Sequence, residues 1–184
     1  PPRLASRLRS GPAGDYVLSV GRLESVKRVD LSIRALAAGP PDLRLIIAGT
    51  GTQREAFERL AADLGLSRRV QFLGEVDDET LLELYAEALA VIFPPFDEDL
   101  GYVTLEAFLA RKPVVTTTDA GEPTRFVIDG VNGRVTEPQP EALGAALADL
   151  HGDRTRAARL GEAGYELARR ITWSAAIERL VEGL

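Results

Sequence analysis

The sequence has no cysteine, no methionine and only one histidine among its 184 residues. Without cysteine the chain cannot form a disulfide, use a thiolate nucleophile or bind zinc through sulfur. A single histidine, His151, also excludes a histidine-rich metal site. No apolar run approaches the ~20 residues that a membrane-spanning helix requires, and the N-terminal segment lacks the apolar core of a signal peptide. We therefore expect no membrane span in this chain.

An excess of positive charge is also lacking. The chain carries 22 Lys and Arg against 28 Asp and Glu, a formal net charge of −6. Because a surface that binds the nucleic-acid backbone is basic, this balance argues against a nucleic-acid partner. It leaves room for a local basic pocket that binds a small phosphorylated ligand. The hydrophobic content of 45% is that of an ordinary globular domain.

Six short runs rich in apolar and β-branched residues are candidate strands. They are Tyr16–Val20, Leu43–Ala48, Val70–Leu73, Leu89–Phe93, Val114–Thr117 and Gly133–Thr136. Several are apolar over most of their length, as in Leu45-Ile46-Ile47-Ala48. This pattern is typical of strands that are covered on both faces in a parallel sheet.

Amphipathic segments with helical periodicity alternate with these strands. They span Asp30–Ala38, Thr52–Leu64, Asp78–Leu89 and Leu105–Leu109, and later 141–150, 154–170 and 174–182. The alternation predicts an α/β fold: a Rossmann-like, doubly wound parallel sheet of about six strands with a helical C-terminal tail. We predict one domain over residues 1–184, with 1–14 as a linker or an artificial chain boundary and 141–184 as terminal helices. Trp173 would anchor the last helix.

In such a sheet, ligands bind beyond the carboxyl ends of the strands, so the loops there hold the candidate functional residues. The first loop, residues 21–28, lacks the Gly-x-Gly-x-x-Gly pattern, which argues against a nicotinamide or flavin cofactor. It offers Arg22, Lys27 and Arg28 beside a helix N-terminus, which suits an anion such as a diphosphate. The alternative is a solvated basic loop. The second loop, Gly49-Thr50-Gly51, either lets backbone approach a ligand or makes a tight turn.

Two glutamates stand eight residues apart, Glu98 in a loop and Glu106 on a predicted helix that begins near Gly101. A carboxylate on an otherwise apolar helix face needs partners, and the hydroxyls of a ribose or a sugar are suitable ones. The backbone amides of Gly101, Tyr102 and Val103 would hold phosphate oxygens. Alternatively, Glu98 is an ordinary loop carboxylate and Glu106 caps the helix or pairs with an arginine.

Five motifs occur in the order typical of glycosyltransferase family 4, which this sequence resembles over roughly residues 16–182. They are Gly21-Arg22-Leu23 with Lys27-Arg28, Val70-Gln71-Phe72-Leu73-Gly74 with Asp77-Asp78, the Glu-x7-Glu signature of Glu98 and Glu106, Lys112-Pro113-Val114-Val115-Thr116, and Asp129-Gly130-Val131-Asn132-Gly133. The sequence departs from the family pattern at Asp99-Leu100, which replaces Gly-Phe, and at Arg111, where glycine is common. The resemblance implies the C-terminal, nucleotide-sugar-binding half of a GT-B-type enzyme.

The resemblance also implies roles for individual residues. Arg22 and Lys27 would bind the donor diphosphate and stabilise the leaving nucleotide without a metal ion. Glu98 would hold hydroxyls of the transferred sugar, and Glu106 would hold those of the ribose. The implied catalytic residues are Arg22, Lys27 and Glu98. The implied nucleotide-sugar-binding set is Gly21, Arg22, Lys27, Gly49, Leu73, Val76, Glu98, Leu100, Gly101, Tyr102, Val103 and Glu106.

The activity implied by the resemblance is that of a retaining glycosyltransferase. It would transfer a hexose from a UDP- or GDP-sugar to an unknown acceptor, with no cofactor and no obligatory metal. We expect an N-terminal GT-B domain in the full-length protein, and a cytoplasmic location, either free or peripheral at the membrane through that domain. The isolated chain should bind nucleotide but transfer sugar poorly or not at all. Two alternatives remain: a non-catalytic nucleotide-binding module and a nucleotide-sugar epimerase of the GT-B type.

Overall fold

Six parallel strands form a single sheet in the computed structural model, which describes residues 4–171. The strands are β1 (Tyr16–Val20), β2 (Arg44–Ala48), β3 (Val70–Gly74), β4 (Ala90–Ile92), β5 (Val114–Thr117) and β6 (Gly133–Thr136). Their spatial order is β3-β2-β1-β4-β5-β6, and every neighbouring pair is parallel. The predicted α/β class with a doubly wound, six-stranded sheet is confirmed.

Seven α-helices lie within the described residues. They are α1 (Val29–Ala38), α2 (Arg54–Asp63), α3 (Asp78–Glu87), α4 (Tyr102–Leu109), α5 (Pro123–Phe126), α6 (Pro140–Gly152) and α7 (Arg154–Ala168). Helix α3 begins where predicted, because the Asp77 side chain accepts a hydrogen bond from the Thr80 amide at 2.8 Å. Helices α6 and α7 form the described part of the predicted helical tail. The helix expected at 174–182 and the anchor Trp173 lie outside the described residues.

Successive residues of the central strands face opposite sides of the sheet, and both sides are buried. On β2, Leu45 and Ile47 belong to the core cluster that also contains α1, α2 and α6 residues. Ile46 belongs to the second cluster, which contains residues of α3 and α4. Each fully buried aliphatic side chain stabilises the fold by roughly 1.5–3 kcal/mol relative to leaving it in water. Burial on both sides explains the continuous apolar runs in these strands.

Two short elements were not predicted: a 3-10 turn at Ser25–Lys27 and helix α5. With three and four residues respectively, they are too short to show a helical period. Helix α3 also ends before Leu89, where the predicted segment ended. Ala88 is extended, and the Leu89 amide donates to the Tyr16 carbonyl at 2.8 Å. Pairing with the first strand therefore draws the chain out of the helix and into β4.

Residues 4–14 pack against the side of the sheet that carries α3 and α4. Leu4 and Leu8 are buried in that core cluster, and the Gly11 amide donates to a carbonyl in the last turn of α3 at 2.9 Å. Lys112 donates from Nζ to the Gly11 carbonyl at 3.0 Å. Burial of its ammonium lowers the pKa of Lys112 to about 8. Residues 4–14 thus contact the rest of the domain through buried leucines and through hydrogen bonds at Gly11.

Arg111, which stands where family 4 commonly has glycine, adopts a backbone conformation that favours glycine. Its φ is +58°. Its guanidinium donates to both carboxylate oxygens of Glu162 at 2.7 and 2.6 Å and lies 3.8 Å from the centre of the Tyr165 ring. These contacts with α7 offset the backbone strain, which explains how a non-glycine residue is accommodated.

The strand order opens a crevice at the carboxyl ends of β1 and β4. From β1 the chain proceeds outward through β2 to β3, and it then returns to place β4 on the other side of β1. The loops after β1 and β4 therefore leave the sheet in opposite directions, which is where doubly wound folds bind their ligands. These loops contain two of the segments singled out from the sequence, namely residues 21–28 and the loop that carries Glu98.

Backbone contacts join the loop after β1 to the loop after β2. The Gly21 amide donates to the Ala48 carbonyl at 3.0 Å, and the Leu23 amide donates to the Thr50 carbonyl at 2.8 Å. Gly49 has a φ of +140°, and a Cβ atom on it would lie 1.9 Å from the Gly21 carbonyl oxygen. Glycine is therefore required here by the neighbouring loop, a reason distinct from both a ligand and a tight turn.

We predict that Gly49→Ala destabilises the fold far more than Gly65→Ala. Both glycines have positive φ, at +140° and +71°, but a Cβ atom on Gly65 would meet nothing within 4 Å. Backbone strain alone should cost Gly65→Ala about 1 kcal/mol, whereas strain plus the clash should cost Gly49→Ala roughly 2–4 kcal/mol. Urea unfolding followed by circular dichroism measures both losses, and equal losses would contradict the proposed loop contact.

Candidate functional site

Two adjoining cavities open at the crevice, with volumes of about 330 and 380 Å³. The first is lined by Val20, Gly21, Arg22, Ala48, Gly49, Thr50, Glu75, Val76 and Leu81. The second is lined by Val20, Gly21, Lys27, Phe93, Glu98, Asp99, Leu100, Gly101, Tyr102 and Val103. Val20 and Gly21 line both, so the cavities meet where β1 ends.

All the predicted binding residues except Leu73 and Glu106 line one of these cavities. Leu73 is half-buried and packs against the second core cluster, so Val76 borders the first cavity and Leu73 does not. The lining residues that were not predicted include Glu75 and Leu81. Glu75 stands between the predicted binding residues Leu73 and Val76, whereas Leu81, an apolar residue on a helix, gives no signal in the sequence.

Arg22 lies at the first cavity with its side chain exposed. Among residues 4–171 it has no side-chain hydrogen bond or ion pair. A guanidinium in this position keeps all its donors for a ligand, and its planar fork suits phosphate oxygens.

Lys27 and Glu98 form an ion pair inside the second cavity. Their side chains are only 17% and 19% exposed, and the Lys27 ammonium lies 5.9 Å from the centre of the Phe93 ring. Opposite charges in such partly dry surroundings attract each other more strongly than they do in water. The two residues expected at the diphosphate and at the sugar are thus in direct contact.

The Arg28 guanidinium forms hydrogen bonds with other loops of the chain. It has a left-handed backbone conformation, with φ +47°. Its guanidinium donates to two carbonyl oxygens of the loop after β4 at 2.8 and 2.6 Å, to Thr117 Oγ1 at 2.8 Å and to both Asp119 carboxylate oxygens at 2.9 and 2.7 Å. Arg28 therefore connects three loops, and only the other two cations of the first loop line the cavities.

The backbone of Glu98 pairs with the loop after β5. Its amide donates to the Ala120 carbonyl, and its carbonyl accepts from the Glu122 amide, both at 2.9 Å. Gly121 lies between these bonds with φ +78°, and a Cβ atom there would approach the Glu98 nitrogen to 2.6 Å. The position of the carboxylate in the cavity is therefore set by two neighbouring loops.

Glu106, on α4, accepts a hydrogen bond from the Tyr85 hydroxyl at 2.9 Å. The sequence left ligand hydroxyls or an arginine open as its partner, and Tyr85 on α3 was missed. Tyr85 has no exposed surface. Its burial and the nearby charge of Glu106 raise its pKa well above the ordinary value for tyrosine. No local pattern identifies this contact, because it joins two helices through their packing.

The N-terminus of α4 faces the second cavity. Gly101 has φ +57° and precedes the first helical residue, Tyr102, as predicted for a helix that begins near Gly101. The first amides of a helix lack carbonyl acceptors within that helix and carry a partial positive charge. Because Tyr102 and Val103 line the cavity beside Lys27, this end of the cavity can attract an anion.

Within residues 4–171 no group of three His, Asp or Glu side chains is arranged to hold a metal ion. In the same residues no helix is long and apolar enough to cross a bilayer.

Comparison with known proteins shows the family to which this arrangement corresponds. The family model described as glycosyl transferases group 1 matches residues 6–167. A curated relative, the D-inositol 3-phosphate glycosyltransferase of Nocardia farcinica, is 36% identical over an alignment of 197 residues. The alignment covers 98% of this chain and 43% of that protein. The chain thus spans less than half the length of this curated relative.

Solved structures show the same fold. The Anabaena protein HepE, whose structure contains UDP and glucose, matches with a TM-score of 0.83 at 27% identity, covering 93% of this chain and 49% of that one. The C-terminal domain of a group 1 glycosyl transferase from Francisella tularensis matches with a TM-score of 0.76 at 22% identity and covers 87% of both chains. The second likeness concerns the fold alone.

We predict that the Arg28–Asp119 pair stabilises the fold and that this stabilisation is lost in acid. Hydrogen bonds from Arg28 hold the pKa of Asp119 below its ordinary 3.8. Because the folded pKa is the lower one, the contribution is present above the unfolded pKa and is lost as the pH falls through the folded pKa. Asp119→Asn should therefore cost stability at about pH 6, and the difference from wild type should shrink as the pH falls below 3.8.

Urea unfolding across this pH range measures the effect. Asp63→Asn is a matched control, because Asp63 is exposed at the end of α2 and has no side-chain partner among the described residues. A pH-independent cost of Asp119→Asn would contradict the role of the ion pair.

Proposed function

The chain belongs to the glycosyl transferases group 1 family, and from this premise we propose that it is the donor-binding domain of a glycosyltransferase. The proposed reaction transfers a hexose from a UDP- or GDP-sugar with retention of configuration, as the resemblance to family 4 implies. One observation carries the proposal: Lys27 and Glu98 share a cavity that adjoins, at Gly21, the cavity lined by Arg22. Cations beside the junction of two cavities suit a diphosphate that links a nucleoside to a sugar.

The two cavities suggest how the donor is placed. We assign the nucleoside to the first cavity, beside Gly49 and Val76, and the sugar to the second, against Glu98 and the N-terminus of α4. The diphosphate would lie at the junction, within reach of Arg22 and Lys27. Both volumes, about 330 and 380 Å³, suit part of such a ligand.

The charges of this arrangement match the proposed chemistry. When the bond between the sugar and the diphosphate breaks, negative charge collects on the departing phosphate oxygens. Arg22 and Lys27 would stabilise that charge, and the amides at the start of α4 would add fixed dipoles. In this proposal the stabilisation comes from the chain itself, and no metal ion or cofactor is invoked.

The Lys27–Glu98 ion pair couples the two halves of the donor. A diphosphate that binds Lys27 competes with Glu98 for the ammonium. Sugar hydroxyls can then replace Lys27 as hydrogen-bond donors to the released carboxylate. The complete nucleotide sugar would therefore satisfy both residues, whereas a nucleotide alone would leave Glu98 without its partner.

The known proteins indicate which substrates to assay first. The HepE structure contains UDP and glucose, which makes UDP-glucose the first donor to test. The name of the Nocardia relative makes D-inositol 3-phosphate the first acceptor. Because the chain spans 43% of that relative, we assign acceptor binding to a further domain and sugar transfer to the full-length protein.

We predict that Arg22→Ala and Glu106→Ala each weaken UDP binding about tenfold or more. Each change removes a charge-assisted hydrogen-bonding partner, worth about 1.5–3 kcal/mol. Isothermal titration with UDP, GDP and ADP measures the loss and identifies the preferred base. Arg68→Ala is the matched control, because Arg68 is exposed just before β3 begins, at the opposite end of that strand from the cavities. Unchanged UDP affinity in both site variants would reject the site.

We further predict that Glu98→Gln separates binding of the nucleotide from binding of the sugar. Releasing Lys27 should tighten UDP binding by about 0.5–1 kcal/mol. The extra affinity of UDP-glucose over UDP should fall, because a neutral amide accepts hydrogen bonds from hydroxyls less strongly than a carboxylate does. Asp97→Asn, at an exposed position outside both cavities, is the control. Equal losses for UDP and UDP-glucose would contradict the assigned roles.

A further inference from the structure

A partly buried hydrogen bond connects α3 to the proposed ribose-binding carboxylate on α4. Tyr85 and Glu106 form this bond, at 2.9 Å between the hydroxyl oxygen and Oε2. We propose that Tyr85 is a positioning residue that holds the Glu106 carboxylate in the orientation required to accept hydrogen bonds from the ribose hydroxyls. This inference rests on the proposed function and adds a residue that does not itself touch the donor.

The surroundings of Tyr85 fix its hydroxyl in place. The side chain has no exposed surface and belongs to the same core cluster as Leu105 and Phe108 on α4. A tyrosine held on all sides has little rotamer freedom left, so its hydroxyl is a rigid donor. Any partner of that hydroxyl is held in turn. The Glu106 side chain has several rotatable bonds, and the contact with Tyr85 restricts the orientations that its carboxylate can adopt.

In this pair Tyr85 is the hydrogen-bond donor and Glu106 is the acceptor. Burial and the charge of Glu106 raise the pKa of Tyr85, so the phenol keeps its proton. A phenol that donates its only proton requires an acceptor, and a carboxylate accepts through both oxygens at about four lone-pair sites. In this pair the Tyr85 hydroxyl therefore donates the hydrogen bond, and the Glu106 carboxylate accepts it.

A second tyrosine provides a matched comparison. The Tyr16 hydroxyl donates to the Leu84 carbonyl of α3 at 2.8 Å, and Tyr16 is also buried. Removing either hydroxyl deletes one partly buried hydrogen bond to or from α3. Only Tyr85 contacts a proposed ligand-binding group. The two variants therefore separate a loss of stability, which they share, from a loss of orientation at Glu106.

The experiment compares Tyr85→Phe and Tyr16→Phe in their affinities for UDP and for 2′,3′-dideoxy-UDP. Wild type should prefer UDP, because only UDP offers ribose hydroxyls to Glu106. In Tyr85→Phe we expect that preference to narrow about tenfold, equal to about 1.4 kcal/mol, with the dideoxy affinity unchanged. Tyr16→Phe should keep the wild-type preference. Thermal unfolding of both variants reports any shared loss of stability.

Each outcome bears on one claim. A wild-type preference retained in Tyr85→Phe, or equal losses for both nucleotides, overturns the positioning role. Failure of wild type to bind either UDP or GDP overturns the proposed function instead. If Tyr85→Phe does not fold, Glu106→Gln tests the contact between carboxylate and ribose on which the inference depends. A preference unchanged in Glu106→Gln would overturn the inference as well.

Discussion

The parallel pairing of β1 with β4 is the interaction on which the candidate site depends. Val17 lies opposite Ala90 and Leu18 opposite Val91, so the carboxyl ends of the two strands stand side by side. Because the chain continues from them in opposite directions, the crevice follows from the strand order itself. These strand residues are buried on both sides of the sheet. The core therefore sets where the crevice opens, and the loops set what it contains.

The charged groups at the crevice are largely held by contacts within the chain. Glu98 pairs through its backbone with the loop after β5 and through its carboxylate with Lys27. Glu106 accepts a hydrogen bond from the Tyr85 hydroxyl. Groups that are already ordered lose less conformational freedom on binding, which favours affinity. Arg22 differs, because it is exposed and uncommitted among the described residues. A ligand at the junction would meet one exposed cation without partners among the described residues, and several groups that are already held.

Much of the fold could be predicted from the sequence. The strands β1, β5 and β6 have the predicted bounds, and the others differ by one or two residues at their ends. Continuous apolar runs predicted the parallel sheet correctly, because each such strand is buried on both faces. The short helix α5 was missed because four residues show no period. Leu73 shows the same limit: it lies in a predicted strand, but its side chain packs against the second core cluster, and that direction follows from packing.

The sequence by itself determined the α/β class, the order of the motifs and the loops that carry the candidate residues. Tertiary structure decided which cations line the cavities, since Arg28 is used to join loops. It also decided the partners of the two glutamates: Lys27 is 71 positions from Glu98, and Tyr85 is 21 positions from Glu106. The physical reason is that periodicity records the burial of one segment at a time. Contacts between distant segments depend on how the strands and helices pack, which no local pattern encodes.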